Sequence, residues 1–399
     1  MSNSIQILPN KINKNEKSQT RSCQIAISNQ NNVISNKKIW FEYPIDLPLP
    51  DDDNCDSYLL ATLLPAMTMK ADIVVKGNVS KELLANLTEL QLVWHKWLPD
   101  SYHIVEIKVD SIRENEVRLP YAVVAFSGGV DAQFSAYRHA TGKAGYATKK
   151  LKAGVLIQGF DIPLEDAEGF SGATKKAEET LRDLGIDLFK VRTNISRFWS
   201  INWEHFFGIA VASVLIGFEK IAGYGILGSS ESYEYLVTPW GSHPIIDNLY
   251  ASNTFRILHD GAGFTRSEKL KFISKWEKGI KNLRVCYAGE LHDRNCGHCE
   301  KCIRTQLNLI LSGNEHPSCF EKTMHHKDFK YIYLRNDALR REWQSIQSEI
   351  LNTKQGLKWL SDVNAVLKRK PKIELLFLFP ADSKRRAFVK NVLKIIRKN

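Results

Sequence analysis

Long apolar runs are scarce in this 399-residue chain. The longest, Gly208 to Phe218, falls short of the roughly 20 residues that a membrane-spanning helix needs, so no membrane span is expected. A secretory h-region is also missing, because Ile5, Ile7 and Leu8 are followed within a few residues by Asn10, Lys11 and Lys14. Cysteine is sparse and odd in number, seven in all. With no export signal, that argues against a disulfide framework and for a reducing, cytoplasmic setting. No internal repeat is present. Acidic residues are rare at the two ends: 1–38 hold six basic side chains and one acid, and 368–399 hold eleven and two. Of the net charge of +11, residues 39–367 therefore carry −3. The positive charge belongs to the ends, which are candidates for contact with a polyanionic partner, and not to the body of the protein.

What is there is ordinary for a globular protein: 43% hydrophobic, 10% aromatic and 25% charged residues. Residues 1–37, rich in Asn, Ser, Gln and Lys, read as a disordered polar tail. Residues 38–118 read as an N-terminal α+β region. It has an apolar segment at Ser57–Met67, a strand at 71–75, a helix from Ser80 to Trp97 and a strand at 102–109. From 119 to 313 strands alternate with helices. The candidate strands are 122–126, 154–158, 188–191 and 221–227, with helices at 130–141, 172–184 and 203–219. This rhythm predicts an α/β fold with a parallel sheet and ligands at the C-terminal strand ends. Residues 314–399 read as a helical, basic region with helices near 336–351 and 383–396.

Two motifs carry chemistry. Ser127-Gly128-Gly129-Val130-Asp131 follows the Ala122–Phe126 run and leads into a helix. Two glycines let successive N–H groups converge, and the helix adds its positive dipole end, which suits a phosphate group. Asp131 could hold Mg²⁺ or position a substrate. An ordinary strand-to-helix turn is the plain alternative. Cys286, Cys296, Cys299 and Cys302, spaced C-x9-C-x2-C-x2-C, form a four-thiolate set suited to structural Zn²⁺, with an iron–sulfur cluster as the rival.

The Ser-Gly-Gly-x-Asp loop after a buried strand resembles that of the PP-loop ATP pyrophosphatase superfamily, a Rossmann-like, adenine nucleotide alpha hydrolase-like fold. With the cysteine spacing, it resembles the 7-cyano-7-deazaguanine synthase family, as a divergent relative over 119–313. Ala132 stands where that family has a second Ser, whose contact is missing or replaced by Ser135. The resemblance implies ATP and Mg²⁺ as cofactors and a phosphate site of Ser127, Gly128, Gly129, Val130 and Asp131, with Gly228, Ser229 and Ser230 as a second loop. Asp131, Arg266 and Lys269 would be catalytic. Arg266 and Lys269 sit where positive charge opposes a helix dipole, while Thr265 and Glu268 fit a capping box. Ser242, His243 and Asp247, in Thr238–Asp247, could line a substrate pocket or simply stiffen a surface loop.

The implied reaction adenylates a carboxylate or amide-like oxygen and releases pyrophosphate. Ammonia, an amine or sulfur then displaces AMP. The acceptor is an unidentified small molecule or macromolecule. A tRNA-modifying enzyme and a non-catalytic ATP-binding module are the alternatives.

Overall fold

The computed structural model describes residues 3–29, 32–286, 289 and 291–369. The chain falls into two compact units, Met1–Thr323 and Met324–Asn399.

The first unit is built on one eleven-stranded, mostly parallel sheet. Its strands are β1 (Asn3–Pro9), β2 (Asn13–Lys14), β3 (Ser18–Asn29), β4 (Asn32–Pro44), β5 (Ala71–Ser80), β6 (Ile107–Arg113), β7 (Ala122–Ala125), β8 (Leu151–Gln158), β9 (Asp187–Thr193), β10 (Tyr224–Gly228) and β11 (Arg256–Asp260). The order is β11-β10-β7-β8-β9-β4-β3-β1-β5-β6, with β2 on β3. The run from β11 to β9 is parallel throughout. The next three pairings, out to β1, are antiparallel.

Helices cover the sheet: α1 (Asp56–Met69), α2 (Lys81–Trp97), α3 (Val130–Ala140), α4 (Ala167–Arg182), α5 (Ile195–Phe198), α6 (Trp203–Leu215), α7 (Arg266–Ile273), α8 (Glu277–Lys281) and α9 (Glu300–Leu311). The continuous apolar runs become central strands: Val123 and Val124 of β7 and Ile226 of β10 are wholly buried. Asn202 caps α6 by accepting the Glu204 N–H at 3.0 Å, and Asp166 caps α4 through the Gly169 N–H at 2.8 Å.

The segment expected to be a disordered tail is instead structured. Of residues 1–37, 3–9, 13–14, 18–29 and 32–37 lie in strands. The apolar side chains alternate with polar ones, so Ile5 and Ile7, Cys23 and Ile25, and Ile39, Phe41 and Tyr43 all enter the core. A composition average hides that two-residue period. Nor does residue 118 end a compact unit. β4 pairs with β9, Thr193 Oγ1 donates to Trp40 O at 2.8 Å, and one core cluster takes side chains from both sides of 118.

The second unit is helical, with α10 (Asp337–Thr353) and α11 (Leu360–Lys368) burying Trp343, Ile346, Ile350, Val363 and Val366. Phe329 stacks on Trp359 at 5.6 Å between ring centroids. The expected helix at 383–396 lies outside the described residues.

Candidate functional site

β7 is flanked by β8 on one side and β10 on the other, so the chain leaves it in both directions. Such a switch point opens a crevice at the C-terminal strand ends. The Ser127–Asp131 loop opens there, as its position after a buried strand predicts. Gly128 adopts φ +79°, a left-handed conformation that a side chain disfavours, and Gly129 is the residue preceding α3. Arg284 braces the loop from outside. Its Nε and Nη2 donate to Ser127 O at 3.1 and 2.8 Å, and its backbone N–H donates to Gly128 O at 2.9 Å. With these carbonyls engaged, the loop's remaining polar groups are the Ser127 hydroxyl and the first-turn N–H groups of α3.

Two further segments converge on this loop. Gly228, ending β10, packs so tightly that a Cβ there would lie 2.7 Å from Asp131 O. From α7, Lys269 Nζ meets Asp131 Oδ1 at 3.0 Å and Ser229 O at 2.5 Å, while Arg266 Nη1 meets Asp131 Oδ2 at 3.4 Å. Burial alone would raise the Asp131 carboxyl, yet Lys269 and Arg266 hold it below the ordinary carboxylate range. The capping box also forms: Thr265 Oγ1 accepts the Glu268 N–H, and the Glu268 carboxylate accepts the Thr265 N–H. It fixes the helix start that carries Arg266.

Arg266 is 8% exposed, and its Nε and Nη2 have no hydrogen-bond partner. A buried guanidinium with two unused donors is suited to an anion. Lys301 lies nearby, its ammonium pushed down to about 8 by burial and by Arg266. Glu231, on the loop after β10, is pushed up to about 7 by burial and by Asp131, against the pull of Arg304, Arg266 and Lys269.

Two adjoining cavities result. The polar one, about 90 Å³, is lined by Ser127, Gly129, Val130, Asp131, Asp161, Arg266, Arg284 and Lys301. The larger, about 220 Å³, shares Ser127, Asp131, Asp161 and Arg284 and adds Phe160, Trp203, Phe207, Val211, Leu227 and Gly228. Trp203, Phe207 and Val211 recur every four residues along α6 and form one wall.

The expected second loop contributes unevenly. Gly228 reaches the larger cavity, but Ser229 Oγ donates to Glu231 O and Ser230 Oγ accepts from Trp240 Nε1 at 3.1 Å, so both hydroxyls hold the loop itself. Ser135 does not replace the hydroxyl missing at Ala132, since its Oγ donates to Asp260 at 2.7 Å. Asp161, Glu231 and Arg284 escaped the sequence reading, as did the place of Lys301 in the polar cavity. Asp161 and Glu231 each stand within three residues of a strand end, a signal that loop position alone could have raised.

The four cysteines come together as their spacing predicts, with all four Sγ atoms within 4.8 Å of one another. Cys286–Cys299 and Cys296–Cys302 are 3.9 and 3.8 Å apart. A tetrahedral zinc with Zn–S bonds of about 2.3 Å sets sulfur edges of about 3.8 Å, so the group could hold a metal such as zinc. Asn295 ties the ligand segments together. Its Oδ1 accepts the Val285 and Cys286 N–H groups at 2.8 and 3.1 Å, and its Nδ2 donates to Leu283 O at 2.8 Å. Gly297, at φ +81°, makes the turn between ligands. Cys286 also lines the polar cavity, so the four-cysteine group and this cavity share a wall.

No family model, curated protein or solved structure matches this chain. Among the described residues no helix is long and apolar enough to cross a membrane.

Proposed function

We propose that the chain is an ATP-dependent adenylating enzyme of the PP-loop type, related to the 7-cyano-7-deazaguanine synthases, that releases AMP and pyrophosphate. The observation that carries this is Arg266, buried beside a glycine loop at the sheet's switch point with two donors unused. The phosphates of ATP would lie in the polar cavity against the Ser127–Asp131 loop, Arg266 and Lys301. Asp161 faces the same cavity, and Asp131 already has Lys269 and Arg266 on its two oxygens. Mg²⁺ would therefore be held chiefly by Asp161 and would supply further neutralisation of phosphate charge. The larger, aromatic-walled cavity offers apolar surface for the organic part of the substrates.

Chemically, a carboxylate or amide-like oxygen of the acceptor attacks the α-phosphorus, and the bond to pyrophosphate breaks. Ammonia, an amine or a sulfur nucleophile then displaces AMP. The cations act mainly by stabilising charge on the departing pyrophosphate. Zinc in the four-cysteine group would be structural, holding the wall that presents Arg284 and Lys301.

The test is chromatographic detection of AMP and pyrophosphate from ATP, with ammonia and a panel of carboxylates. Formation of both products with at least one acceptor is expected. Absence of ATP binding and of both products would overturn the reading. Tight ATP binding without turnover would favour the non-catalytic module, for which Ala132, with Ser135 committed to Asp260, speaks.

A further inference from the structure

The turn-rich segment 238–247 and the end of β11 carry a buried polar cluster that the phosphate chemistry leaves unused. Asp247 is wholly buried. It accepts Ser242 Oγ–H at 2.7 Å, the His243 backbone N–H at 3.0 Å and His259 Nδ1–H at 2.7 Å. His259 gives its Nδ1 proton to the carboxylate, so the Nδ1–H tautomer of this ring presents Nε2 as a bare acceptor. His243 has the opposite tautomer. Its Nδ1 accepts the Ile245 N–H at 3.1 Å, so its Nε2 carries the proton and donates. Both Nε2 atoms are buried without a partner, in side chains more than nine-tenths buried.

Donor and acceptor are thus anchored on one carboxylate and both stand unused. A metal cation would meet the His243 Nε2 proton. An anion would approach the Asp247 carboxylate behind His259. Ser242 is no nucleophile for this dyad, because its hydroxyl proton is committed to Asp247. What fits is a neutral group that both gives and takes a hydrogen bond.

The cluster lies beside the aromatic cavity. His259 pairs in register with Leu227, so the two side chains share a sheet face, and Leu227 lines that cavity. Gly241, next to Ser242, packs on α6 so closely that a Cβ on Gly208 would sit 1.8 Å from its carbonyl oxygen. One strand spacing, about 4.8 Å, therefore separates the His259 backbone from that of Leu227.

We propose that His243 and His259 recognise the non-reacting end of the acceptor, a neutral carboxamide- or hydroxyl-bearing molecule whose apolar body occupies the cavity. Calling that molecule the acceptor rests on the adenylating reading; the binding site itself does not. The test uses the full chain with ¹⁵N-labelled histidine and no ATP, titrated separately with benzamide, benzoate and benzylammonium. Benzamide is expected to move the Nε2 resonances of both histidines, and the two charged probes are not. His243→Phe and His259→Phe should each weaken benzamide roughly tenfold or more, and His259→Gln, which keeps an acceptor, should restore part of it. Inorganic pyrophosphate binding, measured on the same samples, should stay unchanged, which separates failure of this site from failure of the phosphate site. An equal response to benzoate, or no response to any probe while pyrophosphate still binds, would overturn the proposal. The wild-type titration decides the matter even if a variant fails to fold.

Discussion

At the scale of single residues the site's charge is finely divided. Arg266 contributes one bond to Asp131 and two unused donors, so Arg266→Ala removes an anion contact without emptying the carboxylate, which keeps Lys269. Hydrogen bonds to charged groups are worth about 1.5–3 kcal/mol. Pyrophosphate affinity, read by calorimetry, should accordingly fall about ten- to a hundredfold with the fold intact. An unchanged affinity would place the anion elsewhere. Glu231 gives a pH signature. Its carboxyl is raised from 4.5 to about 7, so the folded state holds a proton that the unfolded chain has lost. Stability from this group is full below about 4.5 and declines as pH rises toward 7. Glu231→Gln should abolish that decline, so its gain over wild type in urea midpoint should be larger at pH 7.5 than at pH 4.5. The same variant should flatten any loss of pyrophosphate binding across this range. These two residues also mark what the sequence made legible. Arg266 stood out because a cation at a helix start is out of place. Glu231 did not, because its environment is made by Asp131, Arg304 and Lys269, which only the fold brings near it.

At the scale of elements, the four-cysteine group and the Ser127–Asp131 loop are tied together through shared segments. Residues 284–286 brace the loop through Arg284 and supply a cysteine, while α9 supplies Cys302 and, one residue earlier, Lys301. The short C-x2-C steps were readable as a ligand set because they need only local turns. The Arg284 brace spans 157 residues in sequence and left no local trace. Cys302→Ser should lower bound zinc well below one ion per chain by elemental analysis. Because α9 and the 284–286 strap lose their common anchor, pyrophosphate affinity should fall roughly tenfold or more as the thermal midpoint drops. Full pyrophosphate affinity in metal-free, folded protein would uncouple the two. Helices α3, α4 and α6 and strands β7 to β10 were legible through their apolar runs, whereas β11 and α9 were not. Nor were the strands before residue 45: Gln19 and Arg21 are buried among them, with the Gln19 amide donating to Pro44 O and Arg21 Nη2 to Asn54 O, while Arg21 Nε and Nη1 have no partner. Polar residues of that kind pull a composition average toward disorder although the alternating apolar positions are sufficient for a sheet.

At the scale of the first unit, the extended sheet makes the N-terminal third part of the same compact unit as the Ser127–Asp131 loop. β9, two strands from the phosphate loop's β7, would become an edge without β4. The joint is well made: Phe41 pairs with Thr193 and Glu42 with Arg192, whose guanidinium reaches Glu42 at 3.1 Å. Tyr43 OH donates to Val214 O at 3.0 Å, reaching the C-terminal end of α6. Removing residues 1–118 would expose that strand edge and strip apolar partners from α6, the helix that walls the larger cavity. An exposed, apolar-faced edge is an aggregation template. A chain beginning at 119 is therefore expected to be insoluble or to lack near-ultraviolet circular dichroism. Co-expression of 1–118 with 119–399 as separate chains should return soluble material in which the two co-purify. A folded 119–399 chain that binds pyrophosphate with wild-type affinity would instead make the N-terminal third a separable appendage.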